Sequence, residues 1–82
     1  MNCIKVTSIE QLNELLDKNY TDFVIANGIT RSSKYITWNG TDTYYVLHLI
    51  DDSEDEYTAE ELMADNIGAA IRNGVFYCET DE

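Results

Sequence analysis

Proline is absent from this chain, and only four glycines, two cysteines, one histidine and five basic side chains are spread over its 82 residues. Each shortage removes a class of function. The glycines (Gly28, Gly40, Gly68, Gly74) are scattered, so no glycine-rich loop exists to cradle a phosphate. Between Lys34 and Arg72 the sole potential cation is His48. Phosphate affinity comes from lysine and arginine, so direct binding of DNA, RNA or an anionic membrane is not expected. With one histidine and no C-x-x-C spacing no zinc site is expected, and no cofactor is implied. Cys3 and Cys78 are too few for a disulfide framework. They read as thiols behaving as small hydrophobes, able to face each other only if the terminal segments are neighbouring strands. No apolar run approaches the roughly 18 residues of a membrane span, and the basic-then-apolar layout of a signal peptide is missing. The expectation is a soluble cytoplasmic protein.

What the chain does contain is apolar and acidic. At 44% hydrophobic and 11% aromatic residues it can fill one core, and a single domain over residues 1–82 is expected, unlike an acidic tail too poor in tyrosine, isoleucine and leucine to fold. The net charge of −11 is unevenly placed. Residues 1–41 balance Lys5, Lys18, Arg31 and Lys34 against Glu10, Glu14, Asp17 and Asp22, whereas residues 42–82 hold twelve acids and only Arg72. A basic partner is the natural complement of such a surface.

Local patterns give the elements. Cys3 to Val6 alternates as a short strand. Thr7 with Glu10 and Ser8 with Gln11 form overlapping capping boxes, and Ile9, Leu12, Leu15 and Leu16 make one apolar stripe, so a helix is expected over residues 8–18, ending at Asn19. Phe23 to Ala26 reads as a strand closing at Asn27-Gly28. A polar bend with Arg31, Ser32 and Ser33 leads to a second strand, Lys34 to Trp38. Asn39-Gly40 marks a hairpin that Thr41-Asp42 can lengthen, and the return strand runs from Thr43 to Ile50, apolar enough to have both faces covered or to lie in mid-sheet. After the acidic loop Asp51 to Glu56, Thr58-Ala59-Glu60-Glu61 is another capping box. The helix behind it carries Leu62, Met63, Ile67, Ala70 and Ile71 and ends at Asn73-Gly74. Asn66 and Gly68 interrupt it, predicting a break near residue 66 or a close approach to the sheet. Val75 to Cys78 is a last strand before an acidic end, Glu79, Asp81 and Glu82. The fold class is α+β: a mainly antiparallel sheet of three to five strands with two helices on one face.

The same residues offer few constellations that could carry chemistry. Asp51, Ser53 and Asp55 occupy the first ligand positions of a calcium loop, but Glu56 stands where glycine must turn the chain and Leu62 where a glutamate must close the site. Adjacent acids on a loop are solvated and ionised, not a shielded pair with separated pKa values, and Ser32, Ser33 and His48 form no nucleophile motif. No enzyme is expected. His48 reads as a histidine satisfied within or beside the sheet. Most tyrosines read as sheet residues, whereas Tyr57, inside the acidic stretch, reads as an exposed aromatic anchor.

Eight acids within residues 51–65 cost more self-repulsion than solubility requires. Duplex DNA carries about one negative charge per 1.7 Å of axis, and carboxylates on a loop and helix start can approach that density. This layout of strand (Tyr44 to Ile50), acidic loop (Asp51 to Glu56), helix ending in Asn73-Gly74, aromatics (Phe76, Tyr77) and acidic tail resembles type II-A anti-CRISPR proteins of phages and mobile elements. The resemblance implies a protein that occupies the DNA-recognition surface of a bacterial host protein. Asp51, Asp52, Glu54, Asp55, Glu56, Glu60 and Glu61 are the expected partner-binding charges and Tyr57 the anchor. The alternative is an accessory or structural domain, dimeric if one face of Tyr44 to Ile50 is uncovered, whose acids only confer solubility.

Overall fold

The computed structural model describes residues 2–80. Its elements run β1 (Asn2–Lys5), α1 (Ile9–Asp17), β2 (Asp22–Asn27), β3 (Thr30–Trp38), β4 (Tyr44–His48), β5 (Ser53–Tyr57), α2 (Ala59–Ala64), α3 (Asn66–Asn73) and β6 (Phe76–Thr80). The α+β class and the antiparallel sheet are as expected. Six strands and three helices replace three to five and two among the described residues. The expected tail residues Asp81 and Glu82 lie outside the described residues.

The strand order is β1-β6-β2-β3-β4-β5, with every neighbouring pair antiparallel. β2 through β5 form a meander of consecutive hairpins. β1 and β2 are parallel to each other and joined across α1, leaving a slot that the last strand fills. Its side chains explain the central place: Phe76, Cys78 and Thr80 are all buried.

Helix ends follow side-chain chemistry. Ser8 caps α1 by accepting from the Gln11 amide. Gln11 reaches back to accept from the amide and hydroxyl of Thr7 and donates to the Lys5 carbonyl, so one box forms, shifted by a residue, and the Thr7–Glu10 box does not. Asn19 ends α1 in the left-handed region (φ 68). Thr58 and Glu61 make the full reciprocal capping box of α2. The helix breaks at Asp65, as Asn66 and Gly68 signalled, but the close approach is not to the sheet. A side chain on Gly68 would run into the backbone carbonyl of Met63, so the glycine lets α3 turn tightly against the end of α2.

Two local readings are corrected. Arg31, Ser32 and Ser33 are not a bend but part of β3, because the β2–β3 turn needs only Gly28 and Ile29, with Gly28 at φ 66 where a glycine-first hairpin turn requires it. Cys3 and Cys78 do sit on neighbouring strands, yet Cys3 pairs with Glu79 and Ile4 with Cys78, which sends the thiols to opposite faces of the sheet.

Register then sorts the sheet. Phe23, Ile36, Tyr44, Val46, Phe76 and Cys78 share one face with Leu12, Leu15, Leu16, Leu62, Ile67 and Ile71 of the helices. All three helices thus cover the same side. The opposite face, carrying Val24, Tyr35, Tyr45, Leu47, Glu54, Glu56 and Tyr77, has no helix over it among the described residues.

Candidate functional site at the acidic sheet edge

The expected acidic loop is for the most part a strand. Asp51 and Asp52 remain in the β4–β5 turn, where Asp52 takes a left-handed conformation (φ 59), but Ser53–Tyr57 pairs along the whole of β4 and forms an outer edge of the sheet. In the turn, Asp51 accepts from the hydroxyl and the amide of Ser53. These bonds hold its carboxyl below the usual carboxylate range.

Strand alternation divides the predicted charges. Glu54 lies opposite Leu47 and Glu56 opposite Tyr45, on the open face. Asp55 lies opposite Val46 on the helix-covered face, and Glu60 and Glu61 stand in the first turn of α2. Of the predicted acids, Asp51, Asp55 and Glu61 hold local hydrogen bonds, whereas Asp52, Glu54, Glu56 and Glu60 are exposed and make no side-chain hydrogen bond or ion pair among the described residues. The turn and strand acids among them therefore share one edge but not one face.

Tyr57 is not the exposed anchor its sequence neighbourhood suggested. It lies opposite Tyr44 on the covered face, half-buried against the core, because the strand alternation that turns Glu56 outward turns Tyr57 inward. Its hydroxyl donates to Asp65 at 3.0 Å. Burial, reinforced by the Asp65 and Asp55 carboxylates, pushes its pKa well above the ordinary tyrosine value.

Beside it runs a chain of polar groups. The Lys34 Nζ donates to Ser32 Oγ at 2.9 Å and meets His48 Nδ1 at 2.8 Å, while His48 Nε2 meets Asp55 Oδ2 at 2.9 Å. With the ammonium donating to Nδ1, the ring proton sits on Nε2 and is given to Asp55. His48 is satisfied within the sheet, as expected. Lys34 is 8% exposed, and burial lowers its pKa against the opposing pull of Asp51 and Asp65. Alternation with Ile36 and Trp38 was the signal that placed Lys34 on the covered face. The network borders an open depression of about 320 Å³ lined in part by Asp51, Tyr57 and Asp65. Every titratable group lining it holds a hydrogen bond or ion pair. Among the described residues no group of histidine, cysteine and acidic side chains is arranged to hold a metal ion, and no helix is long and apolar enough to cross a membrane.

The residues missed by sequence reasoning are on the open face. Tyr35 and Tyr45, taken for ordinary sheet residues, are 43% and 41% exposed. With Thr37, Leu47, Glu54 and Glu56 they line a groove of about 360 Å³. The basic residues of this face sit toward its far side, where Arg31 approaches Glu79 at 3.8 Å and Lys5 lies over the Tyr77 ring. The alternation of Tyr35 with Ile36 and of Tyr45 with Val46 carried this information, given knowledge of which face the helices cover.

Comparison with protein-family models, with curated proteins and with solved structures finds no match to this chain.

Proposed function

We propose that this protein is a non-enzymatic binding module whose acidic edge occupies a basic, nucleic-acid-binding surface of a bacterial host protein. The observation that carries the reading is the strand character of Glu54-Asp55-Glu56. Successive residues of a strand advance about 3.4 Å, so this edge bears one carboxylate per step. A single DNA strand advances about 3.4 Å of axis per phosphate. Three acids in an extended strand therefore match the rise per residue of a nucleic-acid strand, with Glu54 and Glu56 on the open face and Asp55 on the other, where it meets His48, and the exposed Asp52 and Glu60 flank them in sequence. An extended edge held by β4 is also pre-organised, which limits the entropy lost on binding.

Edge protection is the competing role, since charged side chains on an outer strand discourage pairing with a second molecule. The two roles separate by experiment. The purified protein, immobilised at low salt, is expected to capture basic proteins from a bacterial lysate and to release them both with salt between about 50 and 500 mM, which screens surface charge, and with added duplex DNA. Capture that neither salt nor DNA reverses would sink the proposal.

A further inference from the structure

We infer that the open-face groove between Tyr35 and Tyr45 receives an arginine side chain of the protein partner. This rests on the proposed binding of a basic partner and names the group that would be recognised. Four observations converge on it.

The first is ring placement. Tyr35 pairs with Leu47 and Tyr45 with Thr37, so the two tyrosines are diagonal neighbours across β3 and β4. Diagonal positions on one sheet face lie about 7–8 Å apart at the backbone, within reach of aromatic side chains, and both rings line the same groove. The second is vacancy of the rings themselves. Stacked pairs occur at Phe23–Phe76 and Trp38–Tyr44, and among the described residues neither Tyr35 nor Tyr45 makes a ring contact or a side-chain hydrogen bond. Each is exposed, and their π-faces are open to a cation.

The third is charge. Glu54 and Glu56 form the β5 side of the groove and hold no cation among the described residues. Lys34, the nearest lysine in the register, belongs to the covered face, and Arg31 is on the other side of the open face against Glu79. The fourth is the mixed lining: Leu47 and the tyrosine rings offer an apolar wall for an aliphatic stem, with carboxylates at its end. A guanidinium satisfies all of these at once, because it is flat, stacks on aromatic faces and gives forked hydrogen bonds to a carboxylate. An ammonium gains only the charge. A second copy paired edge to edge through β5 is disfavoured, since it would set acids opposite acids.

The test is an NMR titration at low salt with tetra-arginine and tetra-lysine peptides. The expected result is that tetra-arginine shifts the ring signals of Tyr35 and Tyr45 and binds at least fivefold tighter than tetra-lysine. The double variant Tyr35→Ser/Tyr45→Ser abolishes that preference while leaving a common, salt-sensitive attraction. Tyr35→Phe/Tyr45→Phe, which retains both rings, keeps it. Equal affinity for the two peptides, or arginine-induced shifts that bypass the two tyrosines, would overturn the arginine groove and leave the acidic edge standing. Binding of neither peptide would overturn both.

Discussion

On the helix-covered face of the sheet, Phe23, Ile36, Tyr44, Val46, Phe76 and Cys78 are each no more than 1% exposed, whereas the opposite face of β3 and β4 leaves Tyr35 and Tyr45 exposed. The same strands build both faces, and side-chain alternation alone decides which residue goes where. The covered face is where stability resides. The open face, with its acidic edge, is where residues are present in excess of what folding needs. Nothing on it other than Val24 is buried as deeply as the core.

That contrast can be broken most sharply by truncation. Phe23 and Phe76 stack with ring centroids 5.5 Å apart, and either Phe→Ala change is expected to cost about 3–5 kcal/mol in chemical denaturation, whereas Tyr35→Ser or Tyr45→Ser moves stability by about 0.5 kcal/mol or less. Similar losses on the two faces would mean that the open face is part of the core. Next in size is Gly68→Ala. The added methyl meets the Met63 carbonyl, and the forced shift of α3 against α2 is expected to cost about 1–3 kcal/mol, visible as a lower melting temperature. Thr58→Ala removes the hydroxyl that accepts from the Glu61 amide and should cost about 1 kcal/mol.

A pH experiment sharpens the comparison where the covered face meets the acidic edge. Tyr57 has its pKa raised, first by burial and then by Asp65, which accepts its hydroxyl hydrogen. The folded protein keeps a proton that the unfolded chain releases near pH 10. This stabilisation is fully present below that pH and is lost as pH rises toward the higher folded value. Stability should therefore decline as pH rises past about 9–10, and Tyr57→Phe should flatten the decline without removing it, because burial also shifts Tyr44 and Cys78 upward. An unchanged slope in Tyr57→Phe would place the hydroxyl in water.

How much of this was legible in the sequence varies with the cause of each element. The helix starts were legible, because Ser8, Thr58 and Glu61 satisfy free amides through local chemistry. The break at Asp65 was legible from Asn66 and Gly68. β5 was not: Ser-Glu-Asp-Glu has little intrinsic preference for strand, and it is extended because the β4–β5 turn, with Asp52 at positive φ and Asp51 bonded to Ser53, delivers it onto the free side of β4. The position of β6 between β1 and β2 was equally hidden, since hydrophobic alternation identifies a strand but not its neighbours. The first of these misses mattered for the site. Reading residues 51–56 as a loop made Tyr57 an exposed anchor, whereas the register of β5 turns it inward and that of β3 and β4 leaves Tyr35 and Tyr45 exposed.

The most direct test of the acidic edge is the variant Asp52→Asn/Glu54→Gln/Glu56→Gln/Glu60→Gln, compared with the unaltered protein for stability and for capture of basic host proteins. None of the four side chains holds a bond within the described structure, so the variant is expected to fold with unchanged or slightly higher stability as like-charge repulsion falls, and to lose capture at least tenfold. Undiminished capture by a well-folded variant would contradict the account and leave the carboxylates as guards of an exposed strand.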